Sequence, residues 1–369
     1  MASNIFIYIY PFNINPYQYF TLMNLKHTKF SFVNYLLRSI QHKHLFKMNV
    51  FNTISMMSKG FDVESIYLYS LNKTNYKKYL PDSAIPKISL NSNNGYWPIL
   101  HDKFVFYRFI KDKLPTGELL GIVFKGEITA VDGVFGYAEL LEGLKKSNKY
   151  VLKPLQGGNT TGILFLSLTN EALILQGKPI DQDILKSTIN GLNEYGIFKF
   201  YEQHKLFAKI YPGSINTIRL VTLYDFEQKK PFIHASILRM GWSRSAPFHN
   251  FQKRGLVSLI DNETGLLSIC KRKDENGRIT HQSNHPDTNQ VIEGMVIPFW
   301  EDIKGTILAY LEKNPFLDYV GWDILVTDEG FLVIEANHNP GLGFMQAFKP
   351  LLEDPRGANY FKTKNIYAS

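Results

Sequence analysis

The sequence predicts an α+β fold, and three observations carry that expectation. The chain has 369 residues with 44% apolar and 14% aromatic content, enough to bury a substantial core divided among two or three subdomains. From His101 onward short apolar strands alternate with helical stretches and Gly-containing turns. Near the C-terminus, Val320 to Thr327 and Phe331 to Ala336 are rich in Val, Ile, Leu and Phe and read as the two arms of a β-hairpin.

In chain order, residues 1 to about 98 are rich in Asn, Tyr, Phe and Lys and hold no motif with chemistry. Within them Val33, Leu36, Leu37 and Ile40 recur at helical spacing and are followed by His42, Lys43, His44 and Lys47. That pattern describes a basic amphipathic helix, suited to packing on its own domain or to peripheral contact with a membrane surface. The apolar start, Ile5 to Phe12, is short, lacks a basic flank and runs into Pro11, so neither a signal peptide nor a transmembrane segment is expected. Pro81, Pro86 and the run Asn91 to Gly95 punctuate the chain and place a boundary near residue 98. Tyr150 to Lys153 reads as a strand, Gln156 to Gly162 as a loop and Ile163 to Leu168 as another strand. A polar helical stretch spans Asp181 to Asn193. Strands follow at Thr217 to Tyr224, Phe232 to Met240, Leu256 to Ile260 and Leu266 to Cys270. A helix from Trp300 to Leu311 leads into the hairpin, and the tail is irregular.

The hairpin is the most informative stretch. Asp328-Glu329-Gly330 reads as a three-residue loop with Gly330 in the left-handed conformation, so that Thr327 faces Phe331. Counting back sets Asp323 opposite Glu335 and Gly321 opposite Asn337 on one face. The other face, with Trp322, Ile324, Val326, Leu332 and Ile334, is apolar. Two carboxylates opposed across a strand pair repel unless a cation neutralises them. Oxygen donors of the Asp, Glu and Asn type suit Mg²⁺, with Mn²⁺ as an alternative, and Gly321 leaves space above the pair. The competing reading is a solvated hairpin with charges on its wet face.

A second group of residues suits phosphate. Lys153 ends one strand, and Gln156-Gly157-Gly158-Asn159-Thr160-Thr161-Gly162 forms a glycine-rich turn before the next, where main-chain N–H groups can approach phosphate oxygens. The lysine precedes the glycines and no helix follows them, so this is not a P-loop; no kinase H-R-D or D-F-G follows either. An ordinary flexible hairpin is the alternative. Lys103 is a further candidate phosphate ligand, or else a surface lysine. Arg219, in Asn216-Thr217-Ile218-Arg219, and Arg239 stand in apolar strands and need an anionic partner, either a ligand or an internal carboxylate. The histidines of His249-Asn250-Phe251 and His285-Pro286-Asp287 read as solvated loop residues. The single cysteine, Cys270, excludes an internal disulfide and a cysteine zinc cluster, which makes the cytoplasm the expected location. A net charge of +8 favours anionic ligands without choosing among them; no nucleic-acid-binding motif is present, and no nucleic acid is expected as partner.

Taken together, Asp102-Lys103, Lys153 with its glycine loop, Gln203-His204, Ser214 to Arg219, Asn250-Phe251, His285 to Thr288, Ile297 to Glu301, Val320 to Asp323 and Glu335 to Asn337 resemble the ATP-grasp superfamily. The nearest group is the sugar-transfer-associated one, and the matching words run in order over about residues 98 to 350. The resemblance implies an ATP-grasp fold of two α+β subdomains clasping ATP: residues 99–205 with the glycine lid, residues 206–352 with the Mg²⁺ site, then a tail at 353–369. Residues 1–98 would form a helical or mixed extension, a candidate substrate-recognition cap. Lys103 and Lys153 would bind ATP phosphates with Gln156 to Gly162 as the lid, and Asp323, Glu335 and Asn337 would hold Mg²⁺. Arg219, Arg239 and Asn216 would join Lys153 at the reacting groups. Residues Ile197 to Phe200, including Phe198 and Lys199, would form the adenine hinge, with Lys199 standing where an acid is usual. The implied activity is that of an ATP-dependent carboxylate–amine ligase working through an acyl phosphate on a sugar acid or sugar-linked amino acid in surface-polysaccharide (capsule) synthesis. A phosphotransferase of the same fold and a non-catalytic nucleotide-binding scaffold are the alternatives.

Overall fold

The computed structural model describes residues 48–146, 148–157, 162–244, 255–274 and 278–367. The amphipathic helix expected at residues 33–47, the loop at His249 to Phe251 and lid residues Gly158 to Thr161 lie outside them. The chain divides into two compact units: residues 1–76 with 81–86, and residues 77–80 with 87–369. In the first unit, α1 (Val50–Met57) is capped by the Asn49 side chain, which accepts from Asn52 N, and α2 (Val63–Leu68) follows. The Asp82 carboxylate accepts from Asp62 N at 2.8 Å and from Ser65 Oγ at 2.9 Å; its burial raises the pKa to about 6. The helix α3 (Ile85–Asn91) begins where the two units meet in sequence.

The second unit is built on two antiparallel sheets. The first contains β1 (Leu119–Phe124), β2 (Glu127–Ala130), β3 (Tyr150–Pro154), β4 (Leu164–Thr169), β5 (Ala172–Leu175), β6 (Lys178–Ile180) and β7 (Tyr195–Lys199), in the order β2-β1-β7-β3-β4-β5-β6. The helices α4 (Trp97–His101) and α5 (Lys103–Ile110) precede it, and α6 (Tyr137–Lys145) and α7 (Gln182–Asn190) lie between its strands in sequence. Leu140, Leu144, Leu185 and Ile189 of α6 and α7 recur at i, i+4 and bury against Val123, Leu152, Leu166 and Ile197 of the sheet. The second sheet follows α8 (Lys205–Ile210) and holds β8 (Thr217–Asp225), β9 (Lys230–Met240), β10 (Leu256–Leu259), β11 (Cys270–Lys273), β12 (Ile279–Gln282), β13 (Tyr319–Thr327) and β14 (Gly330–Asn337), ordered β12-β11-β10-β9-β8-β13-β14.

One face of the second sheet carries the main core. There Ile218, Leu220, Leu238, Trp322, Ile324 and Val333 pack with Ile303, Ile307 and Tyr310 of α9 (Trp300–Glu312). Each of these buries roughly 1.5–3 kcal/mol of apolar side chain. Trp322 is fully buried, and its indole N–H finds Thr222 Oγ1 at 3.0 Å, so the polar edge is satisfied.

The hairpin differs from the expected one at both ends, and the differences cancel where it matters. Thr327 faces Gly330, not Phe331, across a two-residue turn, and Gly330 has φ +150° as the first residue of β14 rather than a left-handed loop position. A β-bulge between Asp323 and Ile324 then restores the count: Ile324 faces Val333, yet Asp323 faces Glu335 and Gly321 faces Asn337 as expected. The extra residue re-aims the near half of β14. Phe331 and Val333 enter the core in place of the expected Leu332 and Ile334, and Ile334 lines the opposite side. The strand expected at Leu266 to Cys270 is also shifted: β11 runs Cys270–Lys273, while Leu266 and Leu267 make only single bridges, to Val296 and Ile260. Cys270 is buried in the core, which pushes its thiol up to about 12.

The tail is helical rather than irregular. α10 (Gly343–Gln346) is followed by α11 (Pro355–Thr363), whose Tyr360 and Phe361 are buried beside Tyr319. The ring of His234 lies on this helix, so close to Gly357 that a Cβ there would meet it at 2.3 Å. His234 is 8% exposed, with neither ring nitrogen hydrogen-bonded, and burial holds its pKa down to about 4; Asp354 opposes that shift, Lys349 and Arg356 add to it, and Phe232 and Phe361 supply the apolar walls. A folded-state pKa below the unfolded value means that stability is full above about pH 6.5 and falls as pH drops toward 4, by at most about 3 kcal/mol. Thermal melts from pH 7 to 4.5 should show this loss, and His234→Leu should flatten it; equal slopes for both proteins would refute the assignment. No helix among the described residues is long and apolar enough to cross a membrane.

Candidate functional site

The two sheets present side chains to one cavity of about 480 Å³. From the first sheet come Val151 and Lys153 of β3, Phe165 of β4, and Phe198 and Lys199 of β7; from the second come Thr217, Arg219, Ile237, Arg239, Asp323, Leu325, Ile334, Glu335 and Asn337. Alternation explains the pairs Thr217 and Arg219, Ile237 and Arg239, and Asp323 and Leu325, each two residues apart, while Ile334 beside Glu335 falls at the bulge. Lys103 enters from the first turn of α5, whose N-cap Asp102 also accepts from the Gln156 amide at 3.3 Å.

Asp323 is the electrostatic centre. Arg219 reaches it with two nitrogens, Nε at 2.5 Å and Nη2 at 3.1 Å, and Arg239 Nη2 lies 2.9 Å from the same carboxylate. Burial works against the charge on Asp323, but the two guanidinium groups outweigh it and hold the pKa down to about 2. The sequence leaves open a ligand or an internal carboxylate for these arginines; the structure supplies the carboxylate. Arg239 also donates to Thr217 Oγ1, from the same Nη2 at 2.8 Å and from Nε at 3.2 Å. Glu335 is held loosely, with Lys103 Nζ 3.9 Å away. Lys103 Nζ also donates to the Gly157 carbonyl at 2.9 Å, tying it to the start of the glycine loop. Burial lowers the pKa of Lys153, and Glu335 and Asp323 partly offset that. Its ammonium stands 5.0 Å from the centre of the Phe198 ring.

The loop ends have the geometry that glycine permits. Gly157 has φ +89° and Gly162 φ +79°, and a Cβ on Gly162 would meet the Tyr195 hydroxyl at 2.6 Å. Gly321, expected to leave room for a ligand, is instead roofed by Pro340, whose ring a Cβ would meet at 2.4 Å. The glycine therefore seats the chain after β14, which brings Asn339, Gly341 and Phe344 to the cavity wall.

Other expected site residues lie elsewhere. Asn216 is fully buried, its Nδ2 shared among Gln203 Oε1, Phe207 O and Tyr211 O at 2.8–3.2 Å, and it does not line the cavity. It fixes the start of β8, and its neighbour Thr217, not singled out from sequence, faces the cavity instead. Lys199 lines the cavity, but its ammonium pairs with Glu118 at 3.2 Å. The backbone N–H groups of Lys199 and Phe200 donate to Glu118 O and Lys149 O. His285 is buried rather than solvated: Nε2 meets Gly241 O at 2.8 Å, while Asp287 accepts from Ser243 N and Oγ.

Whether Mg²⁺ suits the site can be tested on the donors present. Asp323, Glu335 and Asn337 all border the cavity, an all-oxygen donor set once the amide is turned with Oδ1 inward. Asn337 Nδ2 is buried without a hydrogen-bond partner, so the amide is not committed to protein on that side. No group of three or more His, Cys, Asp or Glu side chains forms a metal cage among the described residues. Two carboxylates and an amide, completed by phosphate oxygens, match an ion that takes part of its shell from substrate, so the residues fit Mg²⁺.

The model of the sugar-transfer associated ATP-grasp family matches residues 87–352. No curated protein matches the chain. Among solved structures, the chain is similar to D-alanyl-alanine synthetase A from Vibrio cholerae, at 13% identity over 75% of this chain and 67% of that one, TM-score 0.40. It is also similar to D-alanine–D-alanine ligase from Bacillus anthracis, at 16% identity over 73% and 66%, TM-score 0.37. N5-carboxyaminoimidazole ribonucleotide synthetase from Thermotoga maritima matches at 11% identity over 75% and 56%, TM-score 0.37. The chain thus spans less than two thirds of the length of the Bacillus and Thermotoga proteins. The family match extends from the α3 helix to the end of the cavity-lining segments, and on it the chain belongs to the sugar-transfer associated ATP-grasp family.

Proposed function

We propose that the protein is an ATP-dependent carboxylate–amine ligase. The observation that carries this reading is the gathering of Lys103, Lys153, Arg219 and Arg239 with Asp323, Glu335 and Asn337 around one cavity between two sheets. A carboxylate oxygen of the acceptor attacks the γ-phosphorus of ATP, the bond to the bridging oxygen breaks, and ADP leaves with that electron pair. The amine nitrogen then attacks the acyl carbon, the carbon–oxygen bond to phosphate breaks, inorganic phosphate departs with that electron pair and takes up the proton the nitrogen loses, and the amide remains.

Such chemistry asks the protein for positioning and charge neutralisation more than for covalent participation. The apolar lining of Val151, Ile163, Phe165, Phe198, Phe200 and Leu325 suits an adenine ring. Because the N–H groups of Lys199 and Phe200 are taken, adenine would meet the main chain beyond them. Lys103 and Lys153 would hold the phosphates, both from the wall of the cavity. Asp323, Glu335 and Asn337 would hold Mg²⁺, which when bound neutralises phosphate oxygens. Arg219 and Arg239 would face the transferring phosphoryl group and the acceptor carboxylate. The segment 156–162 would close as a lid to keep water from the acyl phosphate. Residues 99–205 and 206–352 would form the two halves of the clasp and residues 1–98 a recognition cap. The acceptor would be a sugar acid or sugar-linked amino acid in surface-polysaccharide synthesis, a reading that the family's association with sugar transfer supports only in its sugar part.

The test is a screen of sugar acids against amines, following ADP and phosphate release. Release of both that requires carboxylate and amine together is the expected result. A phosphorylated product that accumulates without amine would show a phosphotransferase instead, and absence of turnover with tight ATP binding would show a nucleotide-binding scaffold.

A further inference from the structure

Asp323 is committed before any ligand arrives. Its Oδ1 receives Arg219 Nε and Arg239 Nη2, and its Oδ2 receives Arg219 Nη2 at 3.1 Å. The three side chains are only 10–15% exposed, so little water competes for these contacts. Among charged residues lining the cavity, Lys103, Lys153, Lys199, Arg219 and Arg239 face Asp323 and Glu335; with Lys199 neutralised by Glu118 at 3.2 Å, four positive stand against two negative, a surplus of two. A bare divalent cation entering this space meets net repulsion and a carboxylate already bridged. A magnesium–nucleotide complex brings about two net negative charges, which match the surplus, together with phosphate oxygens that can take over the guanidinium groups. Thr217 Oγ1 accepts from both Nε and Nη2 of Arg239, so the guanidinium keeps a second partner when Nη2 leaves Asp323.

From this arrangement we propose that Arg219 and Arg239 are stand-in cations that keep the Asp323 site closed to free divalent metal and yield it only to metal carried by nucleotide. The inference rests on the reading of Asp323, Glu335 and Asn337 as the metal ligands and adds selectivity to it. By linkage, metal and nucleotide must then strengthen one another's binding by the same factor.

The experiment follows Mn²⁺ with the full-length protein. Loss of the free-ion paramagnetic resonance signal measures binding of Mn²⁺ alone, and the fluorescence of a methylanthraniloyl-labelled ATP measures binding of the metal–nucleotide complex. The native chain should bind Mn²⁺ alone weakly and the complex well. Arg239→Met and Arg219→Met should each bind Mn²⁺ alone about tenfold more tightly or better, since each removes one repelling charge and frees carboxylate oxygen. Adding Asp323→Asn to Arg239→Met should cancel the gain. Arg239→Met leaves Arg219 on Asp323 and is the variant that keeps the fold; its melting temperature should rise with Mn²⁺ alone, whereas that of the native chain should not. Unchanged Mn²⁺ affinity in both arginine variants, or a native chain that binds Mn²⁺ as tightly without nucleotide as with it, overturns the proposal. A native chain that fails to bind the labelled nucleotide with Mn²⁺ overturns the reading of the site itself, a separate outcome.

Discussion

Glu335→Gln is expected to lower ligand-dependent ADP release by about 10²–10³-fold while leaving the melting temperature almost unchanged. The two halves of that expectation come from different facts. Glu335 borders the cavity on β14, directly opposite Asp323 of β13, so loss of its charge removes half of the carboxylate available to the metal. Its ionic neighbour Lys103 is 3.9 Å away and also bonds the Gly157 carbonyl, so the fold depends little on the pair. Asp323 is a poorer choice for the same question. Removing it leaves two buried guanidinium groups facing one another, a cost of about 3–5 kcal/mol that would lower activity whatever the chemistry. Steady-state ADP release and a thermal melt on the same sample check the prediction. Near-native turnover in Glu335→Gln would remove β14 from the site, and a large fall in melting temperature would show that Glu335 is structural.

Much of this site was legible in the sequence because it rests on period-two alternation. Asp323, Glu335 and Asn337 share a face for the same reason that Arg219 and Thr217 do, and no long-range information is needed to see it. The hairpin shows how far that reasoning reaches. The turn was read one residue too long, and the bulge next to Ile324 supplied the missing residue, so the functional end kept its register while the core assignments of Leu332 and Ile334 exchanged with Phe331 and Val333. Bulges have no reliable local signature, since the extra residue is accommodated by tertiary packing. Other misses share that cause. Asn216 and His285 sit in conspicuous motifs, but hydrogen bonds to residues distant in sequence, Gln203 and Gly241, bury them outside the cavity lining. The residues Asn339, Gly341 and Phe344 reach the wall only because Pro340 closes over Gly321. Two-residue spacing from Asn337 was the one available hint for Asn339. The Leu119–Phe124 and Glu127–Ala130 pair is not evident from sequence although Ile122, Val123 and Phe124 favour a strand, because Gly121 interrupts the run and only the pairing with β7 fixes it in the sheet.

Asp318→Ala is expected to cost about 3–5 kcal/mol of stability, a fall of roughly 10 °C in the melting temperature of the large unit. Asp318 is 2% exposed and gathers four donors from two distant stretches of chain: Asn93 N at 2.8 Å, Asn94 Nδ2 at 3.2 Å, Tyr360 Oη at 2.9 Å and Lys364 Nζ at 2.5 Å. The carboxylate thus joins residues 93–94 and the end of α11 to the residue before β13. With alanine, the Lys364 ammonium, 12% exposed, and the Tyr360 hydroxyl lose their shared partner at once. Tyr360 retains Ser92, so part of the network survives. Lys364 keeps Asn94 Oδ1 at 3.0 Å and the Phe226 ring at 5.8 Å, neither of them charged. Asp318→Asn should recover part of the loss, because the amide oxygen still accepts while the charge is gone. The same substitution should leave the cavity chemistry in place below the melting temperature, since Asp318 contributes nothing to its lining. Calorimetry of the three proteins checks the order native, Asn, Ala. Melting temperatures of Asp318→Ala within about 2 °C of native would mean that α11 is held by the Tyr319, Tyr360 and Phe361 rings alone, with the buried charge contributing only placement.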